Sequence, residues 1–489
     1  MLQDKKHLNY MDMGLGKSLT TSFSIVYAEA FPCIIVCPKS AMYVWQGELQ
    51  SWFGYDSTIY VGKPKERKER LKEFKEQEHK FIITNYALIE ELAIHFGILE
   101  KRPNEGSVAR GTAKTRYTPH PPGTGNNTVR GLIADEIHGA GLMNHKTKTY
   151  DIFSHIMPEI KYGYLLTGTP QRKGVIDFFG PLSLVDPKEF DNYWRYVNKY
   201  CVTIKEAMGI SIERNPKDLK TFRPMLRRYA SILKKEDYLK ELPGKIRQNI
   251  PVELDPEQRK IYDDLTSEMF AVTSKDELII TPSVLTLLMR QRQLVVAPQI
   301  LGLETRGACI DTMLEMSAGL VDDKKPFVVF TPFRKAVPFI KEALLAEYKE
   351  LRGKIYTITG GLTAEEFGNE WQSFQNSKGA GVLICVIKSG ASFQATVADT
   401  AFFLGAEYDF NLDLQAEDRL NRMGQKNLVR CYYITGRGTV DEEIAKRLND
   451  KKYAADLILS NENAFRLMLL KHSKYKHAVK SLNLEAIFN

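Results

Sequence analysis

Short apolar runs with polar ends recur in the first part of the chain. They are Cys33–Pro38, Phe81–Tyr86, Gly131–Glu136 and Tyr162–Thr169. Runs of this kind are typical of parallel strands that are buried on both faces. Patterns expected of helices lie between them, such as Ala41–Trp52 and the highly charged Pro64–His79. This alternation predicts a doubly wound α/β sheet, in which ligands bind at the carboxyl ends of the strands.

The same alternation of strands and helices returns in the second half of the chain. Its strand candidates are Pro326–Thr331, Tyr356–Gly360, Val382–Ile387, Thr400–Gly405 and Arg430–Thr435. Between the two halves the pattern is helical, charged and aromatic, as in Asn192–Tyr200 and Ser283–Leu294. We therefore predict an α/β protein with two doubly wound parallel-sheet lobes joined by helical protrusions. The predicted divisions are lobe 1 at 1–185, protrusions and linker at 186–299, lobe 2 at 300–450 and a C-terminal helical segment at 451–489.

The stretch 101–130 interrupts the first lobe. It is rich in Pro, Gly, Thr and Asn, and it contains several basic residues but only one acid, Glu105. We interpret it as an irregular, mobile insertion between two strands. Two roles remain open for it: a solvated loop, or a flexible basic arm that touches a phosphate backbone.

Composition narrows the class of protein. A chain of 489 residues with 43% hydrophobic and 26% charged residues fits a soluble globular protein. The net charge of +8 is compatible with a polyanionic partner, but an ordinary basic surface explains it equally well. The six cysteines form no Cys-x-x-Cys pair, which disfavours a zinc ribbon, a metal cluster or a disulfide framework. We also expect no export signal, no membrane span, a cytoplasmic location and a monomer.

The stretch from Met11 to Ser18, MDMGLGKS, resembles a phosphate-binding loop that leads into a helix. Glycines let the backbone turn tightly and bring its N–H groups close to an anion, and the following helix dipole favours the same charge. Lys17 can reach the outer phosphates, and the Ser18 hydroxyl suits Mg²⁺. Met11 replaces the first glycine of the strict pattern, so an ordinary strand-to-helix turn is the alternative. The predicted phosphate-binding residues are Gly14, Leu15, Gly16, Lys17 and Ser18.

Two further motifs follow predicted strands in the first lobe. Asp135 and Glu136 end an apolar run, where metal-assisted phosphate chemistry needs one carboxylate for Mg²⁺ and another to activate water. A solvated turn is the alternative. The segment Leu165–Pro170, LLTGTP, places hydroxyls and a glycine after the next strand, although by itself it would also fit a simple turn.

The second lobe contains the motif Gln415–Gln425. Arg419 and Arg422 lie three residues apart, and on a helix they would share one face. Two guanidinium groups aimed in one direction fit a developing phosphoryl charge, as in an arginine finger. The alternative is a surface helix in which they form ion pairs with Glu417 and Asp418.

In this order, the motifs resemble those of the SNF2 branch of the superfamily 2 helicases and translocases, and most of all its small bacteriophage members. The similarity runs from Met11 to about Ile444. The matching segments are Asp12–Ser18 (D-E-M-G-L-G-K-T in the family), Val36–Ser40, Ile83–Tyr86, Asp135–His138 (D-E-x-H), Leu166–Pro170 (L-T-G-T-P) and Gln415–Gln425 (Q-A-x-x-R-x-x-R-x-G-Q). The segment Ser389–Gln394 departs from the family, where this motif is rich in glycine.

The resemblance implies two RecA-like lobes that close on ATP and Mg²⁺. Lys17 and Ser18 would hold phosphates and metal, Asp135 the metal, and Glu136 would activate water, while Arg419 and Arg422 complete the site. Residues that would bind nucleotide or transmit its state are Gln415, His138, Thr167, Gly168 and Thr169. Residues that would contact DNA are Lys39, Ser40, Asn85, Tyr86, Thr331, Arg334, Lys388 and Ser389.

The implied function is a DNA-dependent ATPase motor that translocates on DNA and remodels or branch-migrates forked and junction DNA. Two alternatives stay open. One is an RNA or single-strand helicase of the same superfamily, and the other is an ATP-driven remover of DNA-bound protein.

Overall fold

A computed structural model gives the fold in two compact units, Met1–Lys240 and Glu241–Asn489. The structure describes residues 4–102, 116–119, 128–168, 170, 174–206, 209–238, 241–272, 278–281, 283–377, 379–389, 393–408 and 410–449. Within these ranges, no helix is both long and apolar enough to cross a membrane. The six cysteines are buried free thiols.

The first unit is built around a parallel sheet. Its elements are β1 (Lys6–Asn9), α1 (Lys17–Tyr27), β2 (Cys33–Val36), α2 (Met42–Phe53), β3 (Ser57–Ile59), α3 (Pro64–Glu76), β4 (Phe81–Thr84), α4 (Ile89–His95), β5 (Leu99–Arg102), β6 (Arg116–Pro119), β7 (Gly131–Ala134), α5 (Lys148–Glu159), β8 (Tyr162–Leu166), α6 (Phe179–Val185), α7 (Tyr193–Tyr200), β9 (Cys201–Glu206), β10 (Gly209–Pro216), α8 (Leu219–Tyr229), β11 (Ala230–Ser231) and α9 (Lys235–Tyr238). The order of the seven described strands is β11, β1, β8, β7, β2, β4, β3, and every pair is parallel.

Both faces of this sheet are covered, as a doubly wound fold requires. In β2 and β7, Ile34 and Leu132 belong to one buried cluster, whereas Ile35 and Ile133 belong to another. Successive side chains of a strand point to opposite faces, so the two clusters are the two covered sides of one sheet. The four strands predicted from apolar runs are confirmed as β2, β4, β7 and β8.

The second unit contains a second parallel sheet. Its elements are β12 (Lys245–Val252), α10 (Pro256–Glu268), β13 (Phe270–Val272), β14 (Leu278–Ile280), α11 (Val284–Val296), α12 (Ala308–Asp322), β15 (Phe327–Thr331), α13 (Val337–Glu347), β16 (Ile355–Ile358), α14 (Ala364–Gln375), β17 (Val382–Val386), β18 (Thr400–Leu404), α15 (Phe410–Glu417), β19 (Val429–Gly436) and α16 (Val440–Asn449). The strand order is β12, β19, β18, β15, β17, β16, again parallel throughout. Two parallel sheets with helices confirm the predicted α/β class.

The region 186–299 contains strands as well as the expected helices. The strands β9 and β10 pair as an antiparallel hairpin, and so do β13 and β14. β12 joins the second sheet at its edge, where Pro251 is tolerated because an edge strand leaves one side of its backbone unpaired. Its sequence KIRQNIPV lacks a continuous apolar run, because only part of the strand is covered.

Two predicted segments lie largely outside the described residues. Of the insertion 101–130, the structure describes residues 101–102, 116–119 and 128–130. In these ranges β5 and β6 pair antiparallel, and Arg130 leads into β7. The predicted C-terminal helical segment 451–489 lies beyond the last described residue, Asn449.

Candidate active site

The glycine-rich loop joins β1 to α1 at the carboxyl edge of the first sheet. Gly14 and Gly16 have φ angles of 82° and 78°, a left-handed conformation that glycine adopts without strain. Gly16 is the N-cap of α1, and no side chain caps the helix there. The first-turn N–H groups of α1, where Lys17 and Ser18 stand, are therefore presented as anion donors.

Buried and partly buried polar contacts hold this loop in place. Asn9, at the end of β1, donates from Nδ2 to Thr21 Oγ1 (3.1 Å) and to the Lys17 carbonyl (3.4 Å). The Lys17 ammonium donates to the Met11 carbonyl at 2.9 Å. Asp12 Oδ2 accepts from the backbone N–H of Lys235 at 2.8 Å. Sequence reasoning missed Asn9, although an amide at the end of a strand just before a glycine-rich loop was a usable signal.

Asp135 follows β7 and is enclosed by donors. Its Oδ2 accepts from Trp45 Nε1 at 2.9 Å, and its Oδ1 accepts from the backbone N–H of Glu136 at 2.9 Å. The Tyr86 hydroxyl donates to the Asp135 backbone carbonyl at 2.5 Å. Burial, and then the Glu136 charge, raise the pKa of Asp135 to about 6, while the Trp45 hydrogen bond and the charge of Lys17 oppose that rise.

Glu136 occupies a special backbone position beside a second pair of side chains. Its φ angle is 53°, which is uncommon for a residue with a Cβ and occurs at functional sites. His138 Nδ1 lies 3.1 Å from Glu136 Oε2 and 2.8 Å from Thr167 Oγ1. The His138 imidazole thus connects Glu136 of the Asp135–His138 motif to Thr167 of the Leu166–Pro170 motif.

The third motif approaches the loop closely. A Cβ atom at Gly168 would lie 3.2 Å from Lys17 Nζ and 3.0 Å from Met13 Cγ, so a larger residue would press on the loop lysine. The structure therefore brings Lys17, Asp135, Glu136, His138, Thr167 and Gly168 to one edge of the first sheet. Thr169 lies outside the described residues.

The proposed DNA-contact residues of this unit follow β2 and β4 at the same edge. Lys39 is exposed and Ser40 is half-buried, directly after β2. Asn85 is buried, and its Oδ1 accepts from the Ala87 N–H at 3.0 Å. The Tyr86 hydroxyl is bonded to the Asp135 carbonyl. Lys39 and Ser40 are therefore the more accessible of the four proposed DNA-contact residues in this unit.

The proposed DNA-contact residues of the second unit also lie at the carboxyl ends of neighbouring strands. Thr331 ends β15 and Arg334 follows it, and Lys388 and Ser389 follow the neighbouring strand β17. Thr331 is buried and accepts from the Phe333 N–H at 3.3 Å, whereas Arg334 is exposed. Lys388 Nζ lies 3.4 Å from Glu407 Oε2.

A glycine pair adjoins these residues, after β16. A Cβ atom at Gly361 would lie 3.3 Å from Arg334 Nη1, and one at Gly360 would lie 3.5 Å from Ser389 Oγ. Sequence reasoning did not single out this pair. Its two consecutive glycines at a strand end were the available signal.

The arginine motif differs from its predicted conformation. The prediction that Arg419 and Arg422 share a helix face is wrong, because α15 ends at Glu417 and turns follow it. Arg419 is 2% exposed and donates from Nη1 to the Phe393 carbonyl at 3.4 Å. Arg422 is half-buried and donates from Nε to the Asp418 carbonyl at 3.1 Å.

The acids of this motif bind cations from β12. Glu417 is fully buried and receives Arg247 Nε at 2.5 Å, Arg247 Nη2 at 2.6 Å and Lys245 Nζ at 2.7 Å. Lys245 also lies 3.2 Å from Asp418 Oδ1. Gln415 is buried beside them, at the end of α15. The motif is therefore part of the packed second unit, held to its edge strand by buried charge pairs.

Comparisons with known proteins identify a matching family, similar sequences and a similar solved structure. Residues 9–300 match the SNF2-related domain. An uncharacterized ATP-dependent helicase of Mycoplasma pneumoniae is 22% identical over 90% of this chain and 39% of its own length. The human DNA annealing helicase and endonuclease ZRANB3 is 24% identical over 90% of this chain and 37% of its own length. The chain thus spans well under half the length of these two relatives.

A solved structure, the Sulfolobus solfataricus SWI2/SNF2 ATPase core in complex with dsDNA, is similar over 96% of this chain and 92% of that chain. The sequence identity is 20% and the TM-score is 0.39. The family assignment rests on the domain match, which covers more than half of the 489 residues. The chain belongs to the SNF2-related family.

Proposed function

We propose that this protein is an ATP-hydrolysing motor that is stimulated by DNA and translocates on it. The observation that carries the proposal is the order of strands in the first sheet. The loop lysine, the Thr167 hydroxyl, the Asp135–Glu136 pair, Lys39 and Asn85 follow β1, β8, β7, β2 and β4, which are consecutive neighbours. Ligands of open α/β sheets bind at such carboxyl ends.

The residues at this edge fit ATP with Mg²⁺. Asp135 is a half-buried carboxylate whose pKa is raised by desolvation, so a cation beside it would offset the cost of its charge. Asp135 and the Ser18 hydroxyl would hold the metal, and Lys17 with the loop N–H groups would hold the phosphates. When bound, Mg²⁺ neutralises charge that develops on the transferring phosphoryl group.

Glu136 is the proposed general base. Its carboxylate would orient a water molecule and accept its proton. His138 holds the Glu136 carboxylate beside Thr167. A change near the phosphates would therefore reach Glu136 through the Thr167 hydroxyl and the His138 imidazole. We propose that His138, Thr167, Gly168, Thr169 and Gln415 transmit the nucleotide state.

Arg419 and Arg422 are proposed to complete the ATPase site from the second unit. A guanidinium group that stabilises the transferring phosphoryl group is worth ~10³–10⁵-fold in turnover. Of the two, Arg422 is the more accessible, since Arg419 is buried in the second unit. Reaching a phosphate would require the turn after α15 to present these side chains.

Branched DNA is the proposed substrate. The name of ZRANB3 describes annealing of DNA, which is base pairing regained. The exposed candidates Lys39, Arg334 and Lys388 are basic side chains that suit phosphate contacts and carry no sequence code. Moving a branch point offsets each broken pair with a new one, so the motor avoids the full cost of ~1.4 kcal/mol per base-pair step.

The test compares three labelled substrates in the presence of ATP: a four-way junction, a fork and a blunt duplex. We expect movement of the junction or fork and no separation of the blunt duplex. Efficient unwinding of the blunt duplex with the junction untouched would identify a strand-separating helicase instead. Stimulation of the ATPase by RNA and not by DNA would overturn the choice of nucleic acid.

A further inference from the structure

The helix α8 of the first unit carries a basic face that the proposed motor site does not use. Lys220, Arg223 and Arg227 stand at positions i, i+3 and i+7, which lie on one side of a helix, and all three are exposed. The opposite side buries Phe222 and Leu226 in the core. The sequence of α8, LKTFRPMLRRY, contains no acid.

The acid that precedes α8 already has a backbone partner. Asp218, which precedes α8, caps the helix by accepting from the Lys220 N–H at 2.9 Å. Among the residues that the structure describes, the ammonium and guanidinium groups of Lys220, Arg223 and Arg227 form no ion pair. Their charge therefore faces solvent.

The basic face continues at the amino edge of the sheet. α8 leads directly into β11, which pairs in parallel with β1, so Arg228 stands where the strands begin. An open cavity of about 820 Å³ lies there, lined by the cations Lys5, Lys6, Lys161 and Arg228. Lys6 is bonded to the Met157 carbonyl at 2.6 Å, whereas Lys5, Lys161 and Arg228 are exposed.

Two carboxylates also line this cavity, and both have partners. Asp186 accepts from the Tyr229 hydroxyl at 3.2 Å and from the backbone N–H groups of Lys188 and Glu189. Asp4 Oδ2 lies 3.2 Å from His7 Nδ1. The cavity therefore retains an excess of positive charge, with four cations against two engaged acids.

This surface is separate from the motor edge of the same unit. The ATPase motifs follow the carboxyl ends of the strands, whereas Lys5, Lys161 and Arg228 precede their amino ends. A four-residue strand is about 13 Å long, so the two edges are at least that far apart. A DNA segment bound at the carboxyl edge of the sheet would therefore leave the basic surface at the amino edge free to bind another segment.

We propose that the basic face of α8 and the adjoining cavity form a second nucleic-acid site, which binds the phosphate backbone of another DNA segment. Guanidinium groups match phosphate oxygens in bidentate geometry. From Lys220 to Arg227 the face is ~10 Å long, and each DNA strand has a phosphate every ~3.4 Å of duplex axis, so about three contacts fit. If the proposed function holds, that segment is a second arm of the branched substrate.

The chemistry of the surface favours nucleic acid over an acidic protein. Protein interfaces have an apolar or aromatic centre from which lysine is depleted. Here the centre of the exposed face is occupied by Arg223 and Pro224, and cations continue into the cavity. Although Pro224 and the exposed Leu219 lie beside them, cations dominate this face, and a stripe of cations is the electrostatic footprint of a phosphate backbone.

The test is a bridging experiment with the full chain. A donor-labelled duplex and an acceptor-labelled duplex are mixed with protein, and energy transfer reports simultaneous binding of both. The variant is K220A/R223A/R227A. The matched control is K65A/K68A/K72A, which removes the same charge from the exposed, mixed-sign helix α3.

We expect wild type and control to bridge the duplexes, and the α8 variant to lose bridging while duplex-stimulated ATP hydrolysis persists. The slope of log affinity against log salt should fall by about 2.7 in the α8 variant, for three lost phosphate contacts. A second variant, K5A/K161A, avoids α8 altogether and should also weaken bridging. It covers the case in which the triple substitution unfolds the helix.

Three results would count against the site or separate it from the motor. Bridging and salt slope that are unchanged in both variants would overturn it and leave an acidic protein as the partner. A slope lowered equally by the α3 control would also overturn it, since only net charge would then matter. Absence of DNA-stimulated ATPase in the wild type, with DNA binding still dependent on α8, would contradict the motor and support the site.

Discussion

Trp45 is expected to act on catalysis through Asp135, to which it donates a hydrogen bond. Its indole Nε1 donates to Asp135 Oδ2 at 2.9 Å, and the ring is 2% exposed. The substitution Trp45→Phe keeps an aromatic ring but removes this donor. A hydrogen bond to a charged group contributes ~1.5–3 kcal/mol, which corresponds to roughly 10- to 150-fold in kcat/KM if the ionised carboxylate is required.

The direction of the pH dependence follows from the same contact. Because the Trp45 hydrogen bond lowers the pKa of Asp135, its loss raises that pKa above the present value of about 6. The same free energy corresponds to an upward shift of ~1–2 pH units. The protonated fraction then grows at neutral pH, so the defect should be largest at low pH and shrink as pH rises.

The assay is DNA-stimulated ATP hydrolysis measured between about pH 6 and 9, and the control is Trp52→Phe on the same helix. Trp52 is 39% exposed, so its replacement changes the same atoms without touching Asp135. A smaller ring in the core also lowers Tm, but a stability loss alone leaves the acid limb of the profile in place. Superimposable profiles for the two variants would refute the role assigned to Trp45.

Three further predictions test other parts of the site. Glu136→Gln should bind ATP normally and hydrolyse it ~10²–10⁴-fold more slowly in a single-turnover assay, because only the general base is lost; loss of ATP binding would instead indicate a metal ligand. Arg422→Ala should lower turnover more than nucleotide affinity, and Arg419→Ala should in addition lower Tm because that side chain is buried; full DNA-stimulated turnover in either variant would remove that residue from the site. Arg247→Met should lower the free energy of unfolding by about 3 kcal/mol in urea titration, at the lower end for a broken buried pair, since a second cation remains beside Glu417; an unchanged midpoint would contradict this.

The strands that position the site could be predicted because burial on both faces leaves a local trace. β4 reads FIIT and β17 reads VLICV, each a continuous apolar run. β1 reads KHLN and escaped prediction, because its buried positions include the polar residues His7 and Asn9, whose side chains bond to Ser231 and Thr21. β12 also escaped prediction, but because it is an exposed edge strand: its positions are exposed or only half-buried, so its sequence needs no continuous apolar run.

The motifs supplied candidate residues for the site but not how the fold holds each of them. The Trp45–Asp135 hydrogen bond joins residues 90 positions apart, so no local pattern encodes it. The turn at Arg419 was also beyond local reasoning, because Glu417 ends α15 where it is drawn into buried pairs with β12. Arg419 and Arg422 have the three-residue spacing of a helix face, but the backbone after Glu417 forms turns and not a helix.

The proposed motor requires that DNA drives nucleotide hydrolysis at the loop of Lys17. Steady-state ATP hydrolysis by the wild type and by Lys17→Ala, each with and without duplex DNA, tests it most directly. We expect a wild-type rate that rises on addition of DNA and a Lys17→Ala rate near background, while DNA binding by the variant persists. A wild-type rate indifferent to DNA, or near-normal turnover in Lys17→Ala, would contradict it.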